Sequence, residues 1–148
     1  MEYSEEVRDL FSVPECYFLA HCISADFGMG KGIAVEFNRR FNMKARLMEK
    51  YPQYLDVYER HRIGGDCLPE GRVLNLVTKE RYWHKPTIIT MHLALKKMRQ
   101  ACEEESITKV AMPLIGAGLD RLCWDDVSGL LQHVFADTDV EVLVCRLK

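Results

Sequence analysis

An α/β fold with a largely parallel central sheet is what this chain predicts, and three observations predict it. Short, continuous apolar runs alternate with longer stretches whose apolar residues recur every three or four positions. The resulting order, strand–helix–strand–helix–strand–helix–strand, is the pattern that builds a parallel sheet covered by helices. The 148 residues, 48% of them apolar, suffice for one domain with a core, and no linker, repeat or low-complexity segment divides residues 1–148.

The elements follow in chain order. "MEYSEEVRDLF" is acidic and lacks the basic-then-apolar pattern of a secretory signal. "CYFLAHCI", residues 16–23, is a continuous apolar run and reads as a buried strand. A glycine loop follows, then "GIAVEFNRRF", with Ile33, Ala34, Phe37 and Phe41 at helical spacing. "MKARLMEKY" reads as a second helix stopped by Pro52. Residues 52–71 mix aromatics with turn signals at Gly64-Gly65 and Pro69, and read as an irregular or hairpin segment. "RVLNLVTK", residues 72–79, is a strand. The next helix starts at Pro86, a residue suited to a first helical turn, and lines up Ile88, Met91, Leu95, Met98 and Cys102. "KVAMPLIG" is a strand ending in a second glycine loop. "WDDVSGLLQHVF" is a helix with acids in its first turn, and "VEVLVCRL" is the final strand.

Composition narrows the function. The net charge of −2 speaks against a broad nucleic-acid surface, yet a few backbone donors suffice for a small anion. No apolar run is long enough to span a membrane. The six cysteines form no C-x-x-C pair and sit mostly in apolar runs, as reduced core cysteines do, so a cytoplasmic location is expected, or a nuclear one in a eukaryote. The five histidines form no i,i+4 pair around a carboxylate, so neither a metal nor a cofactor is expected.

"ADFGMGKGIAVEF", residues 25–37, resembles several phosphate-binding motifs and fits none of the familiar ones. A kinase DFG needs a Gly-rich loop, a strand lysine and an H-R-D loop upstream, and the preceding residues contain none of them. A Walker A loop ending at Gly30-Lys31 would need Gly at 25 and Ser or Thr at 32, where the chain has Ala25 and Gly32. What remains is general: glycines bare backbone N–H groups ahead of a helix, and such groups bind anions.

Ligands of open α/β sheets bind beyond the carboxyl ends of the strands. That rule places "SADFGMGKG", "TKERYWHK" and "IGAGLDRL" on one rim, so that two glycine loops face each other with Lys79 between them. Each loop alone is equally an ordinary turn. Lys79 is either a solvated strand end or a nucleophile toward an aldehyde-like carbon, and Asp120 could hold it or manage protons.

The blocks "DLF", "LAHCIS", "MGKGIAVEF", "VTK", "HKPT" and "MPLIGAGLDRLCWDDV" together resemble the macrodomain family, in its ALC1-like branch, from about residue 7 to residue 147. The resemblance implies a three-layer α/β/α macrodomain with a six-stranded mixed sheet, acting as a monomer on ADP-ribose and ADP-ribosylated protein. The implied activity removes terminal ADP-ribose from acidic side chains, with O-acetyl-ADP-ribose and ADP-ribosylated guanine in DNA as related substrates. A non-catalytic reader of ADP-ribose is the alternative. The resemblance puts Asp9, beside Leu10, at the adenine, with Leu147 nearby. It puts His21, Ser24, Gly30, Gly32 and Ile33 at the first ligand loop, and Pro113, Ile115, Gly116, Ala117, Gly118 and Leu119 at the phosphate loop. Lys79 and Asp120 match the catalytic pair. In that role Lys79 attacks the anomeric carbon, or positions the ribose while Asp120 activates water. The chain departs from the family at Arg8, where a glycine is usual, at Leu114 for an arginine and at Ala117 for a cysteine. "LAHCIS" also replaces the Asn-rich motif of the larger hydrolytic branch.

Overall fold

In the computed structural model, which describes residues 1–147, the two longest apolar strands sit side by side. β2 (Phe18–Ser24) and β4 (Val73–Lys79) pair in parallel, with Leu19 opposite Val73 and His21 opposite Asn75. β5 (Lys109–Met112) lies on the other side of β2, β6 (Glu141–Arg146) beside β5, and β1 (Glu2–Val7) beside β6, all parallel. β3 (Asp66–Glu70) is antiparallel to β4, giving a six-stranded mixed sheet in the order β1-β6-β5-β2-β4-β3. β5 stops at Met112 because Pro113 has no N–H to donate to a ladder.

Helices cover both faces. α4 (Ile88–Glu105) and α5 (Trp124–Phe135) bury Met91, Leu95, Met98, Leu131 and Phe135 on one. α1 (Ile33–Phe41), α2 (Met43–Lys50) and α3 (Tyr54–Arg60) bury Phe37, Met43, Leu47, Tyr54 and Tyr58 on the other. The three-layer α/β/α arrangement is the expected one.

Three segments differ from the sequence reading. The acidic N-terminus is a strand, although five of its six residues face solvent. Periodicity has nothing to register there. The strand exists because the edge of β6 offers unpaired backbone groups, and Tyr3 anchors it by a 2.9 Å hydrogen bond shared with Ser128 Oγ. The segment read as irregular or hairpin holds α3, built on the i,i+4 pair Tyr54 and Tyr58, and then a true hairpin in which β3 turns into β4 through Gly71 at φ +56°. Pro69 is tolerated because β3 is an edge strand. Finally, α4 begins at Ile88 rather than at Pro86. The Thr87 hydroxyl accepts the Thr90 N–H at 3.1 Å while Thr90 Oγ1 accepts the Thr87 N–H at 2.9 Å, and this reciprocal cap starts the helix one residue after Thr87. The cysteines are all unpaired; Cys67, Cys102 and Cys145 are buried as expected, whereas Cys16 and Cys123 are exposed.

Candidate active site

All five parallel strands end at one rim. Along it come Asp9 after β1, Leu147 after β6, the Pro113 loop after β5, the Ser24 loop after β2, and Lys79 at the tip of β4. Four inter-strand steps separate the first from the last, about 19 Å at the usual strand spacing. An extended, pyrophosphate-linked ligand suits that length.

At the first glycine loop the backbone is held from within. Ser24 is buried, and its hydroxyl donates to Asp26 Oδ1. The same oxygen accepts the Gly28 N–H at 3.1 Å, and Asp26 Oδ2 accepts the Tyr82 N–H at 3.0 Å. Gly32 caps α1 at φ +63°, ψ −153°, a conformation essentially restricted to glycine. A Cβ there would lie 3.3 Å from Leu119 Cδ1, so the two loops meet at this point. Gly30 is exposed, and a Cβ there would meet only the Gly28 carbonyl oxygen, at 3.9 Å; Ile33 is half-buried at the start of the nine-residue α1. Backbone N–H groups at such a helix start suit an anion.

In the second loop Ile115 is buried under α4, and Gly116 adopts φ +74°. A Cβ on Gly116 would lie 2.7 Å from Met91 Cε and 3.1 Å from Leu122 Cδ1, so this glycine serves packing as well as conformation. Pro113 and Ala117 are half-buried, and Gly118 and Leu119 are exposed. The loop delivers Asp120 to Lys79. Their Nζ–Oδ1 distance is 2.9 Å, with only 15% and 16% of the two side chains exposed. Lys79 is therefore not a solvated strand end: β4 is an interior strand, and its final side chain is held by a carboxylate.

Cys22, which the sequence reading left aside, sits beside this pair on the face of β2 opposite His21. Burial, reinforced by the nearby Asp120 charge, pushes its thiol up to about 12 and keeps it neutral. Period-two alternation along "HCIS" is the signal that separates it from His21.

His21, expected in the first ligand loop, lies elsewhere. It is fully buried, its ring stacks on Phe37 at a centroid distance of 3.8 Å, and it bonds Asn75 Oδ1 at 2.6 Å. Asn75 Nδ2 donates to the Leu68 carbonyl, so Oδ1 is the acceptor and His21 Nε2 carries the proton. Burial lowers this imidazole to about 4. The reason is register: His21 projects to the α1 face, three residues before Ser24 at the rim.

At the far end, Asp9 is exposed and uses Oδ1 to accept the Phe11 N–H at 3.0 Å, which leaves a carboxylate oxygen for another donor. Leu10 is buried beneath it, and Leu147 is 83% exposed on the neighbouring strand end. Arg8 turns its guanidinium to Ser12, at 3.3 Å from Oγ and 3.1 Å from the carbonyl, and to Glu6 at 3.3 Å. Its charge is engaged there. A separate cavity of about 380 Å³ beside β1 is lined by Glu2, Glu6 and Glu141, whose charges repel a pyrophosphate.

Comparison with known proteins agrees with this geometry. Residues 20–131 match the model of the macro domain family. The chain is 39% identical over 140 residues to ADP-ribose glycohydrolase OARD1 of Homo sapiens, covering 94% of this chain and 88% of that protein. It is 26% identical over 126 residues to the DNA ADP-ribosyl glycohydrolase of Thermus aquaticus, covering 78% of this chain and 33% of that protein. Its structure superposes on the solved macrodomain of Thermus aquaticus DarG with a TM-score of 0.75 at 25% identity, over 97% of each chain. A family model matching residues 20–131, a relative 39% identical over nearly the whole length and a superposing solved macrodomain lead to one conclusion: the chain belongs to the macro domain family.

Proposed function

We propose that this protein is an ADP-ribosyl hydrolase of the ALC1-like branch that releases terminal ADP-ribose from acidic side chains. The observation that carries the reading is the Lys79–Asp120 pair, 2.9 Å apart and mostly shielded from water, at the rim between two glycine loops. A module that only binds ADP-ribose has no need of it. The names of the relatives, an ADP-ribose glycohydrolase and a DNA ADP-ribosyl glycohydrolase, support the same class of reaction.

In this reading the backbone N–H groups of the Gly30–Gly32 stretch and of the second loop at Gly118 receive the pyrophosphate, and Asp9 accepts from the adenine. The Lys79 ammonium first loses a proton, and the freed Nζ lone pair then bonds to the anomeric carbon of the distal ribose. The bond from that carbon to the glutamate oxygen breaks, and its electron pair leaves on the carboxylate. Asp120, already in hydrogen-bond reach of Nζ, next takes a proton from a water as that water adds at the same carbon. The carbon–nitrogen bond breaks with its electron pair returning to Nζ, the proton passes from Asp120 back to Lys79, and ADP-ribose departs. The amine divides one hard displacement into two easier ones.

A second substrate, an ADP-ribosylated base in single-stranded DNA, is favoured by one feature. Tyr82 and Trp83, 62% and 64% exposed, stand three and four residues beyond Lys79 and offer faces for stacking. Incubating the protein with glutamate-linked mono-ADP-ribosylated protein, and separately with ADP-ribosylated single-stranded DNA, tests both readings by mass spectrometry of the product. Free ADP-ribose from the protein substrate is expected. Tight binding without release from either substrate would make the chain a reader.

A further inference from the structure

Asp120 sits on a turn with little to hold it. Arg121 N–H donates to the Gly118 carbonyl at 3.1 Å, closing residues 118–121 into a tight turn with Arg121 at φ +60°. Gly118 has open space where a side chain would be, and Leu119 is 59% exposed. Among the described residues, two side-chain polar contacts tie this turn to the rest of the chain. One is the Lys79–Asp120 pair itself. The other comes from a residue outside that pair: Lys85 Nζ donates to the Leu119 carbonyl at 2.8 Å.

The segment that supplies Lys85 is stiff. His84 N–H donates to the Arg81 carbonyl at 3.0 Å, and Arg81 N–H returns to His84 Nδ1 at 3.3 Å. Pro86 is buried and Thr87 caps α4, which fixes the segment at its end. Near its beginning, Asp26 holds the Tyr82 N–H, and Tyr82 Cβ packs so closely on Gly28 that a Cβ there would lie 2.6 Å away. Residues 80–85 thus form a strap pinned to the first glycine loop on one side and to the second, through Lys85, on the other.

We infer that Lys85 is a positioning residue: its bond to the Leu119 carbonyl holds the 118–121 turn so that Asp120 stays in reach of Lys79. A neutral hydrogen bond at this exposed place would compete poorly with water, and the ammonium charge strengthens it. The inference rests on the reading that Asp120 acts in catalysis. It differs from a role in substrate binding, because Lys85 reaches a backbone oxygen of the protein's own loop.

The test compares Lys85→Met, which keeps the stem and removes the donor, with Lys85→Arg, which keeps a charged donor. Turnover of a glutamate-linked substrate should fall about ten- to a hundredfold in Lys85→Met, the range of one charge-assisted hydrogen bond. KM and the affinity for free ADP-ribose should change less than about threefold, and Lys85→Arg should recover most of the rate. Amide hydrogen exchange supplies a readout that needs no turnover. Exchange at the Arg121 and Leu122 amides should accelerate in Lys85→Met, and that at the Gly28 amide should not. Unchanged exchange across the 118–121 turn would overturn the strap. Accelerated exchange with full turnover would overturn the positioning role. A wild-type protein that releases no ADP-ribose would instead remove the hydrolase reading, leaving the exchange result to decide the strap alone.

Discussion

Among the polar pairs that join neighbouring strands or strand ends of this sheet, His21–Asn75 and Lys79–Asp120 behave in opposite ways. His21 and Asn75 face each other across β2 and β4 in the middle of the strands, sealed under Phe37. Lys79 and Asp120 meet at the end of β4, where the sheet opens to the rim. Each pair lies within or beside apolar strand sequence, and each is close: 2.6 Å in one and 2.9 Å in the other. The difference is depth. A neutral pair buried without water adds specificity to packing and has no access to a ligand. A charged pair at a strand end keeps its chemistry because one side remains open. Position along a strand, rather than residue type, separates the structural pair from the proposed catalytic one.

Breaking the rim pair should give the largest effect. Lys79→Ala should lower turnover by about a thousandfold, roughly 4 kcal/mol of barrier, with ADP-ribose affinity and thermal stability nearly unchanged. Asp120→Ala should also stop turnover, and intact-mass spectrometry after substrate exposure should find one ADP-ribose added at Lys79. Absence of that adduct would favour Asp120 activating water, and full turnover by Lys79→Ala would end the role proposed for this lysine.

Breaking the buried pair should do the reverse. His21→Ala removes the stack on Phe37 and leaves Asn75 Oδ1 without its donor, at a cost of about 3 kcal/mol in urea unfolding. Activity per folded molecule should stay unchanged. The pH dependence sharpens the same point. The imidazole lies at about 4 in the folded chain and near 6.5 when unfolded, so between those values the unfolded state binds the extra proton. Stability should therefore be intact above about pH 6.5 and fall by about 3 kcal/mol as the pH drops to 4. That acid limb should flatten in His21→Ala. An equal limb in both proteins would assign it to other groups.

Smaller effects belong to the loops around the rim. Gly32→Val must adopt φ +63° and crowd Leu119, a strain of about 2 kcal/mol. Calorimetry should show ADP-ribose affinity down more than about tenfold with helix content retained; normal affinity in the folded variant would take this loop out of the site. Asp9→Ala should weaken binding by about 1–2 kcal/mol. Asp9→Asn, which can still accept the Phe11 N–H, should separate the contribution of the turn from that of the charge.

Much of this was legible in the residues themselves. Continuous apolar runs located β2, β4, β5 and β6, three-to-four spacing located α1 and α4, and the stop at Pro52 and the first-turn acids marked α2 and α5. The strand-end rule brought Lys79, Asp120 and the glycine loops to one rim. Asp26, two residues before Gly28, carried a local turn signal that went unread.

What the sequence by itself determined was whatever depends on neighbours a few residues apart: periodicity, caps, glycine turns and the order of strands and helices. The tertiary structure alone decided the rest. It made a strand of the acidic segment 2–7, because only the open edge of β6 gave its backbone a partner. It sent His21 to the core instead of the ligand loop, because strand register, set by pairing with β4, chooses the face. It also brought Lys85 to Leu119, Asp26 to Tyr82 and Lys79 to Asp120, contacts spanning 34, 56 and 41 positions. No local pattern encodes such contacts. They arise when parallel strands, packed between two helical layers, bring their ends to the same rim.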